Sequence, residues 1–197
     1  MKPVEAAANF SGLRLDTTKR GRLQVYTDWL RDEGMGAGGL GPAEAKRIEE
    51  RHIADSLLFA SQIPSGAVSV WDLGSGVGLP GIPLAITNPE VEFHLIDRSG
   101  RRIDLLRRAI RILDLDNCVV RRAEIANLDG DIEVIVTRAT LPAAEMLRVG
   151  TRLLAPDGVV IMGGSWQCRP EHVGWDTIEI SAEVLDQTIW LLIMRRE

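Results

Sequence analysis

One segment constrains the fold of this chain more than any other: Val70-Trp71-Asp72-Leu73-Gly74-Ser75-Gly76-Val77-Gly78-Leu79-Pro80-Gly81-Ile82-Pro83-Leu84-Ala85. A short apolar run carrying Asp72 breaks into alternating glycines and resumes as an apolar pattern past two prolines. A buried strand turning tightly into a helix reads this way. Glycine tolerates positive φ and, without a side chain, lets a ligand lie directly on the backbone. The segment points to a nucleotide-like cofactor held over a strand-to-helix turn.

The rest of the chain supports a sheet built around that turn. Strand candidates are Val68–Leu73, Val91–Asp97, Asn117–Arg121, Glu133–Thr137, Gly158–Met162, Thr177–Ile180 and Thr188–Met194. Helical patterns near Ile82–Thr87, Gly100–Leu113 and Leu141–Leu153 fall between the earlier ones, and Ile103, Leu106, Ile110 and Leu113 form one apolar stripe. Such alternation predicts an α/β fold with a mostly parallel sheet and helices on both sides. The final two strands are joined only by Ser181–Gln187, so they are expected to pair antiparallel.

Ahead of the sheet, residues 1–64 read as a small helical extension to a domain spanning 65–197. Leu23, Tyr26 and Leu30 recur at helical spacing within about 17 to 32, with Trp29 beside them. Gly34–Gly41 reads as a flexible loop or hinge, and a second helix is expected from Pro42 to about Gln62. Pro64-Ser65-Gly66 then separates the extension from the sheet.

A length of 197 residues suits one such domain plus an extension. The N-terminus, Met1 to Ala8, has no apolar signal core, and the longest apolar run, Ile189–Met194, reads as a buried strand too short to span a bilayer. Cys118 and Cys168 make neither a disulfide framework nor a four-ligand zinc site. A soluble cytoplasmic protein without metal is expected, its oligomeric state open and a monomer compatible. The net charge of −5 argues against nonspecific coating of nucleic acid. Arginines nevertheless cluster at Arg98, Arg101, Arg102, Arg107, Arg108, Arg111, Arg121 and Arg122; a solvated helix face is the ordinary meaning of such a run.

In a doubly wound sheet the second strand should end in an acidic residue that accepts hydrogen bonds from ribose. Asp97 stands there, 21 residues after Gly76. Dinucleotides and S-adenosylmethionine share this layout. Gly76-Val77-Gly78-Leu79-Pro80-Gly81 formally satisfies the dinucleotide pattern, but Pro80 removes a backbone N–H that a phosphate would use. Asp72 favours the sulfonium cation and amino-acid end of S-adenosylmethionine.

Four segments carry a resemblance. Asp72–Ala85 resembles the cofactor loop of the RsmG/GidB family of bacterial methyltransferases, above all in its proline-glycine-isoleucine-proline continuation. Arg51-His52-Ile53-Ala54-Asp55-Ser56-Leu57, Asp97-Arg98-Ser99-Gly100-Arg101-Arg102 and Thr137-Arg138-Ala139 resemble further family elements, in the right order. The resemblance covers most of the chain from Arg51 to about Gly164 and, more loosely, the N-terminal helix. It implies a Rossmann-like class I methyltransferase that uses S-adenosylmethionine to modify N7 of a guanine in 16S ribosomal RNA, with the small ribosomal subunit as partner. By the same resemblance cofactor contacts fall on Gly74, Leu79, Ala123, Glu124 and Arg138, joining Gly76 and Asp97 from the layout. Two positions depart from the family: its asparagine-leucine-threonine element is replaced by the glycine-rich Gly34–Gly41, and Gly163 stands where a lysine is usual. Both would face the RNA.

Guanine N7 carries a free lone pair at neutral pH, so methylating it needs no general base, and no catalytic dyad is evident. Thr137-Arg138-Ala139-Thr140 replaces the asparagine-proline-proline-aromatic element of exocyclic amine methylation. Cys118, in a strand, reads as an inert thiol and Cys168 lacks a nucleophile's context. His52, Asp55 and Ser56 share one helical face, either closing over the methyl group or RNA or pinning the extension to the domain. Arg101 and Arg102 are candidates for RNA phosphates. Three other readings stay open: a binding module that no longer turns over, a methyltransferase for another RNA or small molecule, and a nicotinamide dehydrogenase.

Overall fold

The computed structural model describes residues 2–34, 47–164 and 168–196. Its centre is a seven-stranded sheet: β1 (Ser69–Leu73), β2 (Glu92–Asp97), β3 (Cys118–Arg122), β4 (Ile132–Arg138), β5 (Leu154–Gly163), β6 (Asp176–Ile180) and β7 (Ile189–Arg195). The strand order is β3-β2-β1-β4-β5-β7-β6, and β7 runs antiparallel to both its neighbours. This is the expected α/β fold with its antiparallel last strand. Between β1 and β4 the chain reverses its direction of progress across the sheet, which opens a crevice at the carboxyl ends of these strands.

Most expected elements appear within a residue or two: α4 is Gly81–Thr87, α5 Gly100–Leu113 and α6 Ala143–Leu153. Strand β5 differs, starting at Leu154 rather than Gly158. Leu154 pairs with Ile132, and the register then shifts before Val134 meets Val159. Pro156-Asp157-Gly158 reads as a turn in sequence; in the fold Asp157 takes φ 63° and the extra residues form an irregularity within a continuing strand.

The extension begins with a helix the sequence reading did not anticipate, α1 (Lys2–Phe10), whose Val4, Ala7 and Ala8 are buried. Next comes α2 (Thr17–Trp29), capped by the Asp16 carboxylate, which accepts from Lys19 N at 2.8 Å. Leu30–Gly34 widens into a π-helical turn. The expected start of the second helix at Pro42, and all of Gly34–Gly41 beyond Gly34, lie outside the described residues. From Ile48 the chain is π-helical to Ala54, α-helical over α3 (Asp55–Leu58) and 3-10 over Phe59–Gln62.

These helices share one apolar core with the sheet: Val4, Leu23, Tyr26 and Phe59 belong to the same cluster as Ile82, Leu95 and Ile161. Two cations of α2 reinforce the packing. Lys19 Nζ donates to the Thr87 carbonyl ending α4, and Arg22 Nη2 to the Asp114 carbonyl ending α5, each at 2.8 Å.

Candidate active site

The glycine turn is held largely by its own backbone. Gly74 N and Ser75 N both donate to the Ile96 carbonyl at 2.9 Å, and Gly76 N donates to Asp97 Oδ2 at 3.0 Å. Gly74 and Gly76 have φ of +75° and +62°, the left-handed region that disfavours a side chain. Their surroundings differ. A Cβ at Gly74 would lie 2.3 Å from Thr140 Cγ2, whereas one at Gly76 would meet nothing nearer than the Gly74 carbonyl at 3.9 Å. Gly74 is therefore closed over by Thr140, and Gly76 leaves room for a ligand.

Asp72 does not do what the sequence reading expected. Its side chain is buried, and Oδ2 accepts from Ser75 Oγ at 2.6 Å and Gly81 N at 3.0 Å. Burial pushes its carboxyl up to about 6, opposed by those two hydrogen bonds and by Arg138. It lies beneath the turn as a brace, away from the cleft wall, held there by Ser75 and by the first turn of α4.

That brace also uses up the helix N-terminus. Pro80 and Pro83 have no N–H, Gly81 N serves Asp72, and Ile82 N donates to the Gly78 carbonyl at 2.8 Å. No donor among these first-turn residues of α4 is left to hold a pyrophosphate. The expectation drawn from Pro80 alone extends to the whole turn.

At the end of β2, Asp97 is buried, its Oδ1 accepting from Ser99 N at 2.9 Å and its Oδ2 lying 3.4 Å from Arg102 Nη1. Ala123 N donates to the Asp97 carbonyl at 3.1 Å, which sets the residues after β3 beside it. Glu124 is exposed, 4.0 Å from Arg98.

On the other wall, Arg138 ends β4. Its Nη1 donates to the Arg51 carbonyl at 3.3 Å and its Nη2 lies 3.2 Å from His52 Nδ1. A guanidinium only donates, so this contact requires an unprotonated Nδ1 and a neutral ring. Burial pulls the Arg138 guanidinium below its usual value, with Asp55 the largest opposing influence. Ser56 is turned away: its Oγ donates to the His52 carbonyl at 2.5 Å. Beyond Arg138, Ala139 takes φ 54°, and Thr140 Oγ1 sits 3.1 Å from the Leu73 carbonyl, fastening this loop to the glycine turn.

Between these two walls lies a cleft of about 950 Å³. Gly74, Gly76, Leu79, Asp97, Ala123, Glu124, Arg138, His52 and Arg102 all lie on its wall; Arg101 does not, being exposed on α5 outside it. Sequence reasoning missed Thr140 and the α6 wall formed by Glu145, Arg148, Val149 and Arg152. Their helical spacing was legible, but a charged helix face ordinarily means solvent. At the cleft's edge, a Cβ on Gly163 would lie 2.4 Å from the buried ring of Phe59, so the aromatic ring fills the space above that glycine. Cys118 is partly buried in β3, and burial pushes its thiol up to about 12, as an inert thiol requires.

The family model described as "rRNA small subunit methyltransferase G" (GidB) matches residues 19–181. The chain belongs to this family. A ribosomal RNA small subunit methyltransferase G from Acidothermus cellulolyticus is 38% identical over 136 residues, covering 69% of this chain and 61% of that protein. The one from Kineococcus radiotolerans is 36% identical over 186 residues, covering 94% of this chain and 69% of that protein. The chain thus spans about two thirds of the length of these relatives. In fold it is similar to a SAM dependent methyltransferase from Aquifex aeolicus, with a TM-score of 0.57 at 13% identity, over 80% of this chain and all (100%) of that one. No helix among the described residues is long and apolar enough to cross a membrane.

Proposed function

We propose that this chain transfers a methyl group from S-adenosylmethionine to N7 of a guanine in 16S ribosomal RNA, acting on the small ribosomal subunit or its RNA in the cytoplasm. The observation that carries the cofactor is the glycine turn: open above Gly76, bordered by Asp97, and without free donors for a phosphate at α4. The family supplies the substrate.

The residues present fit this cofactor. Asp97 Oδ2 accepts from Gly76 N and Arg102 Nη1, and Oδ1 accepts from Ser99 N, which leaves a lone pair of Oδ1 to accept a ribose hydroxyl. Ala123 and Glu124 border the adenine end, while Gly74, Leu79 and Arg138 border the amino-acid end. When bound, the cofactor supplies an electrophilic methyl group on a sulfonium sulfur.

Because N7 presents its own lone pair, the chain has no proton to remove. Its task is to line up the base, hold the field and exclude water. Arg51, His52 and Asp55, brought in from the extension and tied down by Arg138, form the wall opposite the glycine turn, where a base would enter. In this reading residues 1–64 contribute to the substrate wall and brace the turn, and 65–197 carry the cofactor. Exposed Arg98 and Arg102 on the cleft wall, with Arg101 outside it on α5, suit RNA phosphates.

The test is methyl transfer itself. The chain is incubated with labelled S-adenosylmethionine and small-subunit RNA, naked and as assembled particles, and N7-methylguanine is mapped by chain cleavage. Label at one guanine is expected; no transfer to either substrate overturns the activity. Titration with S-adenosylmethionine and NAD checks the cofactor separately, and binding of NAD alone overturns it.

A further inference from the structure

Beside the cleft, the crossover from β3 to β4 is built unusually lightly. The strand order carries it past β2 and β1, yet residues 123–131 contain only the single 3-10 turn Ile125–Asn127. Parallel strands are ordinarily joined through a full helix. This turn has no side-chain cap, and its own bonds are two: Asn127 N to the Glu124 carbonyl at 2.9 Å and Leu128 N to the Ile125 carbonyl at 3.3 Å.

Arg152, in the last turn of α6, supplies what the crossover lacks. Its Nη2 donates to the Ile125 carbonyl at 2.9 Å, and its Nη1 donates to the Leu128 carbonyl. One planar guanidinium therefore closes on the carbonyls at both ends of the turn, a geometry that suits arginine's rigid fork and not lysine's single ammonium. Leu128 is fully buried in the core, so the clamp fixes the turn to a rigid floor. Ala123, Glu124, Ile125 and Ala126, all on the cleft wall, lie at or just before the clamped turn.

We propose that Arg152 is the positioning residue of the adenosine end of the cofactor site, clamping the Ile125–Asn127 turn so that Ala123 to Ala126 stand ready against the adenine. This rests on reading the cleft as an S-adenosylmethionine site. Two of the guanidinium's donors hold the backbone carbonyls at either end of the turn, so it acts through the turn and not on the reacting atoms. Its loss loosens the adenosine end, while the amino-acid end at Gly74 and Arg138 keeps its own supports.

Calorimetric titration of the full chain with S-adenosylmethionine and with 5′-deoxy-5′-methylthioadenosine, which keeps the adenosine end but lacks the amino acid, tests this. Arg152→Ala is expected to weaken both by about tenfold or more. Arg152→Lys, reaching one carbonyl, should fall between the two. In the transfer assay the KM for cofactor rises and kcat at saturation stays within about twofold of wild type. Affinities for both ligands within twofold of wild type in Arg152→Ala overturn the proposal. So does a variant that loses only melting temperature while its folded fraction binds normally. A wild-type chain that binds neither ligand overturns the cofactor reading itself, and the proposal with it.

Discussion

The Tyr26 hydroxyl donates to the Val77 carbonyl at 2.9 Å, joining α2 to the middle of the glycine turn across 51 positions of chain. The ring is fully buried and stacked on Trp29, with centroids 5.9 Å apart. Its hydroxyl lies so close to Gly78 that a Cβ there would come within 2.9 Å of it. The shape of the cofactor turn is thus set in part from the extension.

Removing that hydroxyl leaves a buried carbonyl without its donor. Tyr26→Phe is expected to cost about 1–2 kcal/mol of stability. It should also weaken S-adenosylmethionine binding, because the turn loses a support on the side away from the ligand. Denaturant midpoints and titration of the same preparation check both; a loss in stability with unchanged affinity separates the two effects.

Gly74 and Gly76 should fail differently. Gly74→Ala drives a methyl into Thr140 at a positive φ, so the expected loss is in folding, on the order of 2 kcal/mol or more. Gly76→Ala has open space and a strained φ, costing about 1–2 kcal/mol, but its methyl enters the cleft. Its main effect is lost cofactor affinity. Comparing melting temperature with binding for the pair reads out the contrast.

Asp72 gives a pH signature. Its folded carboxyl sits at about 6, above the ordinary value of 3.8, so the folded state binds this proton more tightly than the unfolded one. The contribution favours folding fully below about pH 4 and is lost as pH rises through about 6. Asp72→Asn keeps an acceptor for Ser75 and Gly81 and removes the titration. The stability difference between wild type and variant should shift by ~2 kcal/mol against the wild type from pH 4 to 7.5. Urea unfolding across that range measures it, and a constant difference argues against the buried ionisation.

Arg138 is expected to act in two places at once. Arg138→Ala removes the donor to the Arg51 carbonyl and the partner of the His52 ring. Amide exchange over residues 51–54 should speed up, and cofactor affinity should fall. Arg138→Lys retains charge without the two-pronged reach, so it should restore little of the protection. Protection unchanged in both variants would mean the segment is held by its apolar packing alone.

Gly163 offers a packing test. Gly163→Ala pushes a methyl into the Phe59 ring and should destabilise by about 1–3 kcal/mol. Phe59→Leu in the same chain should recover part of the loss, a coupling measurable in a double-mutant cycle.

Much of this protein could be read from residue order. Alternation of apolar runs with amphipathic stripes located the sheet and its main helices, because side-chain period is a local property of the backbone. The place of the glycine turn and Asp97 beside the cleft was legible because strand ends face the crevice in a doubly wound sheet, while Arg138 came from the family resemblance. Tertiary structure decided the rest. Whether Asp72 met ligand or backbone depended on how the chain folded back after the glycines, and Ser75 Oγ and Gly81 N turned it into a brace. Helix α1 and the run from Leu154 to Asp157 took form from partners far along the chain, Ile132 among them. The part α6 plays at the cleft came only with the fold, where the crossover from β3 brings Ile125 and Leu128 within reach of Arg152. Local pattern specifies which groups a chain carries and which way they alternate; only the packed fold determines which of them are desolvated together, and that decides what each can do.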